Sequence, residues 1–202
     1  MPPDGWQTIL QPSGSATGVE NDATAASSSS RGMRCSAPLT ANGHARSACI
    51  EFDLPLQRFE WIVEGRFRLQ SITLAPGQSL RILEFQTLER TLAVAARVSN
   101  RDGDLRIGLV ASRPDGSLIS DDSDHTVSVD GWHHWRVHVC RIGTREATGI
   151  LSLDNAEQAR LNWDSGATEP RRVRAGIVRI SGGGAAIVLA DDLRVTESTA
   201  LI

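Results

Sequence analysis

Four runs between residues 129 and 195 constrain this chain more than anything else in it. Val129-Asp-Gly-Trp-His-His-Trp-Arg-Val-His-Val139 leads to Gly149-Ile-Leu-Ser-Leu-Asp154. Then come Ala175-Gly-Ile-Val-Arg-Ile-Ser181 and Ile187-Val-Leu-Ala-Asp-Asp-Leu-Arg-Val195. Each run alternates apolar and polar residues or is a short apolar block, and each is bounded by Gly, Asp or Asn. A strand sends successive side chains to opposite faces, so this pattern reads as antiparallel strands with one buried face.

The same signal extends upstream. Phe59, Trp61, Val63, Gly65, Phe67 and Leu69 alternate with charged residues such as Glu60, Glu64, Arg66 and Arg68. That is a strand with one dry and one wet face. Leu92, Val94, Ala96 and Val98, then Leu105, Ile107, Leu109 and Ala111, flank Asn100-Arg-Asp-Gly-Asp104, a hairpin signal. Further strands are expected over 32–37, 46–54 and 79–87, and a first one over 5–10. Residues 13–30, rich in Ser, Ala, Thr and Gly, bury little apolar surface and read as loop. The expectation is an all-β, two-sheet antiparallel sandwich of roughly ten to thirteen strands. Residues 1–30 would be an N-terminal arm or Ser-rich lead-in loop, and 31–202 the sandwich. Phe59, Trp61, Val63, Phe67, Leu92, Val94, Leu105, Ile107, Leu109, Trp135, Val137 and Val139 should form the core.

At 202 residues the chain suits one such domain and needs neither disulfide nor metal to build a core. Its net charge of −3, without clustered basic residues, gives no nucleic-acid footprint. All 21 positive charges are Arg, so Schiff-base chemistry on Lys is excluded. No apolar run approaches the roughly 20 residues of a membrane span, and residues 1–6 do not read as a cleavable signal. An extracellular surface or a virion is favoured over the cytoplasm.

Three motifs carry a family likeness: Gly131-Trp132-His133, Leu151-Ser-Leu153-Asp154 and Asp191-Asp192-Leu193-Arg194-Val195. In order and wording they resemble the laminin-G-like, concanavalin-A-like jelly roll. The likeness covers residues 31–197 and implies a jelly-roll sandwich, which hosts lectins, adhesion modules and glycan-cleaving enzymes alike. It also implies one structural Ca2+ near the chain ends, with Asp192 and then Asp191 as ligand candidates. Retaining glucanases of this architecture need two carboxylates about 5 Å apart on a Glu-x-Asp-x-Glu strand. Here Glu51-Phe-Asp53 runs into Pro55. Polysaccharide lyases of this architecture use a Tyr, and the chain has none.

The expectation is therefore a non-catalytic recognition module for a glycan or protein surface. The alternatives are a structural subunit or decoration protein of a virion or filament, in a large homo- or hetero-assembly, and a polysaccharide-acting enzyme with a non-standard site. His134, Arg136 and His138 should form a basic stripe on an outer sheet face. His134 and His138 would be roughly 13 Å apart and His133 on the other face, so the three His cannot chelate one metal. Trp132 and Trp163 are candidates to stack on a sugar. Asp121-Asp-Ser-Asp124 reads as a solvated loop. Cys35 and Cys49 should oppose each other across a hairpin turning at Ala41-Asn42-Gly43, within disulfide reach, with Cys140 free.

Overall fold

A computed structural model describes residues 6–11, 17–27, 32–39, 46–55, 60–167, 169–182 and 184–197. Among them fourteen strands form two seven-stranded antiparallel sheets, so the sandwich is as expected and the strand count higher. Sheet A runs in the order β1 (Trp6–Gln11), β4 (Arg46–Asp53), β13 (Arg172–Ile180), β6 (Ser79–Gln86), β7 (Leu92–Arg101), β8 (Asp104–Ser112) and β9 (Leu118–Thr126). Sheet B runs β12 (Ala156–Trp163), β11 (Ala147–Leu153), β10 (Trp132–Cys140), β5 (Trp61–Thr73), β14 (Ala185–Glu197), β3 (Gly32–Ala37) and β2 (Gly18–Asp22).

The core lies between the sheets and follows the alternation. Trp61, Val63 and Phe67 of β5 face inward beside Trp135, Val137 and Val139 of β10. The Phe67 and Trp135 rings meet edge-to-face at 6.3 Å. Val94, Ile107 and Leu109 complete the same layer from sheet A, while Leu92 and Leu105 are only partly buried. Phe59 lies outside the described residues. The hairpin of Asp102 and Gly103, and that of Asp154 and Asn155, use positive φ at both central residues, as two-residue turns that follow strand twist require.

Three expectations fail locally. Gly18–Asp22, read as loop, is edge strand β2, because its backbone finds β3 to pair with despite its polar side chains. Residues 121–124 lie in β9, and the Asp122 side chain is buried there. Gly108 on the neighbouring strand has no Cβ, which would stand 2.2 Å from the Asp122 carboxylate, so that carboxylate can lie flat on the sheet. The Cys35–Cys49 pairing does not form. β3 and β4 are in different sheets, Cys35 opposes Val188 and Val19, and Cys49 opposes Ile9 and Gly176. Both thiols are free. The expected turn at 41–43 lies outside the described residues. Gly176, at φ +110, lets sheet A approach Cys35, whose sulfur would be 2.6 Å from any Cβ there.

Candidate functional site

The two outer faces differ. On sheet A, β4, β13 and β6 bring Glu51, Arg174 and Glu84 into one row, since Arg174 is the register partner of both Glu51 and Glu84. All three are buried. Arg174 donates from Nε and Nη2 to Glu51 Oε2, each at 2.7 Å. Arg172 and Arg90 approach the other oxygen of Glu51 at 3.4 and 3.8 Å. Arg81 donates to Glu84 Oε2 at 2.9 Å, and the Gln86 amide donates to Glu84 Oε1. Gln86 Oε1 is buried with no hydrogen-bond partner among the described residues. A buried carboxylate keeps its charge only when paired and hydrogen-bonded, which this network provides.

Over this row opens a cleft of about 430 Å³ lined by Arg81, Glu84, Gln86, Arg90, Arg174 and Arg179, among others. Four Arg and Glu84 line its wall, with Glu51 beneath Arg174, so the Arg outnumber these two carboxylates by two. Arg179 is exposed and has no ion-pair partner among the described residues. On a chain of net charge −3 this is a local field for an anion. Farther along the same face, Asp122 accepts from Arg97 and from Arg101, the latter at 2.6 Å.

On sheet B the basic stripe is present but matched by Glu64 of β5 and by Glu60, the residue before that strand. Arg136 is exposed, and His134 and His138 are half-buried. Glu64 lies 3.8 Å from both His134 and Arg136, and Glu60 is hydrogen-bonded to His138 at 2.7 Å. The reason is register: Arg136 opposes Glu64, and His138 opposes Ile62, next to Glu60. Trp163 is buried in the core, 4% exposed, and has no face for a sugar. Its position in β12 follows the buried register of Ala159 and Leu161. Trp132 is half-buried at the start of β10. His133 bonds Ser128 and Asp154, each at 2.7 Å. Burial pushes the Asp154 carboxyl up, but the bonds from His133 and the His134 amide outweigh it and hold the group below its usual range.

Asp191, 7% exposed, accepts from the Ser27 amide at 2.8 Å and from its hydroxyl. Asp192 sits at a bulge with φ +54, 4.0 Å from Arg66. Both are engaged within the fold, and Asp191 ties residue 27 to the last strand.

No family model matches the chain, and no curated sequence matches it significantly. Solved structures do. The endo-β-1,4-glucuronan lyase of the fungus Trichoderma reesei aligns with a TM-score of 0.71 at 15% identity, over 98% of this chain and 93% of that one. The cellulose-induced protein Cip1 aligns at 0.67 and 16% identity, over 96% and 91%. The alginate lyase of Klebsiella pneumoniae aligns at 0.62 and 10% identity, over 85% and 83%. The fold is that of the concanavalin-A-like sandwiches.

These likenesses overturn the expectation of a non-catalytic recognition module or a virion or filament decoration protein, and with it the ranking of a polysaccharide-acting enzyme as the minor alternative. The solved sandwiches that this one resembles over most of their length include polysaccharide lyases. That ranking rested on a missing Tyr and a missing Glu-x-Asp-x-Glu strand, and absence of two catalytic plans leaves room for a third. The sheet A cleft escaped the sequence reading for a physical reason. Arg81 and Glu84 are three residues apart, so strict alternation puts them on opposite faces. A bulge between Arg81 and Leu83 brings both to the cleft and turns Ile82 and Leu83 both inward. The available signal was the set of charges at Arg81, Glu84, Arg172 and Arg174 inside otherwise apolar strands.

Proposed function

We propose that this chain is a polysaccharide lyase acting on a uronate-containing polymer held in the sheet A cleft. The observation that carries the reading is the excess of Arg over carboxylate in a cleft built on buried, mutually oriented side chains. The likeness to glucuronan and alginate lyases supports it. The laminin-G-like motifs bear on strand pattern and turns and leave the ligand open.

β-Elimination from a uronate removes the proton on the carbon bearing the carboxylate. The carbanion charge spreads into that carboxylate, so cations placed against it stabilise the transition state more than the ground state. Arg90 and Arg179, the more exposed, bind and orient the carboxylate. Arg174 and Arg81 are already fixed by Glu51 and Glu84, so they need no reorganisation. Among the described residues Glu84 is the only carboxylate lining the cleft, and it takes the proton. As the C–H pair becomes the new C=C bond, the glycosidic C–O bond breaks and the leaving oxygen takes the proton back from Glu84. Gln86 holds Glu84 through its amide and offers Oε1 to a sugar hydroxyl. A Tyr has no part, since the chain has none. Such a polymer is met outside the cell.

Glucuronan, alginate, polygalacturonate and a neutral glucan are incubated with the protein, and unsaturated ends are followed by ultraviolet absorbance. At least one polyuronate should be cleaved and the glucan left intact. Glu84→Gln should lower kcat about 100-fold or more. Arg179→Ala should act mainly on KM. No cleavage of any polyuronate, or cleavage without unsaturated ends, overturns the reading.

A further inference from the structure

The outer face of sheet B carries a cluster that the proposed function does not use. Cys140, at the end of β10, stands across from Glu60, in the register that pairs Val139 with Trp61 and His138 with Ile62. His138 is two residues before Cys140 on the same strand, so the three side chains rise from one face. His138 Nε2 lies 2.7 Å from Glu60 Oε1 and 3.2 Å from Cys140 Sγ. Glu60 also hydrogen-bonds the thiol. One donor atom from each residue falls within 4.8 Å of the other two.

Two arrangements bring Cys, His and Glu together, and the ring nitrogens separate them. A nucleophile–base–orienter relay needs the imidazole to meet the thiol with one nitrogen and the carboxylate with the other. Here Nε2 faces both, while Nδ1 lies 4.0 Å from the sulfur. A shared focus of S, N and O donors is what a metal ion requires.

We propose that Glu60, His138 and Cys140 bind one Zn2+-class ion, with solvent in the fourth position. Tetrahedral ligation at Zn–N, Zn–O and Zn–S distances of about 2.0–2.3 Å sets ligand atoms roughly 3.3–3.7 Å apart. The two bonds above are shorter, so the triangle needs to open by about half an ångström. Thiolate and imidazole select Zn2+ or Co2+ over Ca2+ or Mg2+. The side chains of His138 and Glu60 are 26% and 17% exposed, which gives the ion access. Bound there, it would clip the start of β5 to the end of β10 on the face opposite the cleft.

The test uses the full chain, stripped with a chelator and titrated with Zn2+ and with Co2+. One equivalent should bind and raise the thermal midpoint. The Co2+ adduct should show a thiolate-to-cobalt charge-transfer band and the visible bands of a four-coordinate ion. Cys140→Ser, matched in size and checked by circular dichroism, should abolish the charge-transfer band and weaken Zn2+ at least about tenfold. Glu60→Gln should weaken Zn2+ and keep the band. Failure to bind at millimolar metal, or Co2+ spectra and Zn2+ affinity unchanged by Cys140→Ser, overturns the site. Polysaccharide cleavage does not enter these readouts, so the lyase reading stands or falls separately.

Discussion

The outer faces of the two sheets carry similar charges and treat them differently. On sheet A the carboxylates are sunk: the side chains of Glu51, Glu84 and Asp122 are 6%, 4% and 2% exposed, each against at least one Arg. On sheet B, Glu64 and its partners His134 and Arg136 keep from a quarter to nearly half of their surface in solvent. The same chemistry therefore does two things. Exposed pairs add little stability, because water screens them and ordering long side chains costs entropy. Buried pairs hold their partners in place, at a desolvation cost that only an intact network offsets. A face that retains such a network is a face whose cations are pre-aimed, which is what an anionic substrate needs.

The largest contrast should appear in the thiols. Cys49 belongs to the cleft side of β4, in register with Ser47 and Glu51, and Cys35 lies under Gly176. Both are fully buried. Burial pushes Cys35 up to about 12 from 9.0 and Cys49 up as well. For Cys35 that alone lowers the thiolate fraction about a thousandfold. Cys140, half-buried on sheet B, should be the only thiol that reacts with an aromatic disulfide reagent in the native protein. All three should react after denaturation without reductant. A single reactive thiol in denaturant would restore the Cys35–Cys49 bond.

Next in size is the buried pair itself. Glu51→Ala leaves Arg174 in a site with 6% exposure and removes the partner of its Nε and Nη2. Breaking a buried pair from one side costs about 3–5 kcal/mol. Urea unfolding should show it as a lower midpoint with little change in slope. A loss below about 1 kcal/mol would mean that water or Glu84 takes over the guanidinium, and the contrast between the faces would collapse.

How much of this could be read from sequence follows the same division. The inward faces of β5 and β10 were legible because Trp61, Val63, Trp135 and Val137 alternate without interruption. The hairpin at Asn100–Asp104 was legible because positive φ restricts the residues allowed. Three things were not. Sheet assignment of β3 and β4 depends on packing, so local turn chemistry placed Cys35 beside Cys49 when they belong to opposite layers. The bulge in β6 breaks the period of two, which hid the pairing of Arg81 with Glu84. Trp163 was missed because residues 156–163 were not read as a strand, although Ala159, Leu161 and Trp163 alternate with Arg160 and Asn162. The stripe at His134, Arg136 and His138 was placed on the correct face, but its matching acids come from a neighbouring strand and the residue before it.

The smallest expected effect is the counterpart on sheet B. Glu64→Gln keeps the shape of the side chain and removes the charge facing His134 and Arg136. Both contacts are at 3.8 Å, too long for a hydrogen bond, and Arg136 has 44% of its side chain in solvent. A pair with that geometry contributes roughly 0–0.5 kcal/mol, so the unfolding midpoint should stay within error of the parent. Raising salt to about 1 M, where screening acts over about 3 Å, should leave the difference unchanged. A loss approaching that of Glu51→Ala would show that exposure does not separate the two faces. The cause of their difference would then lie in the partners each carboxylate has, and not in how deeply it is buried.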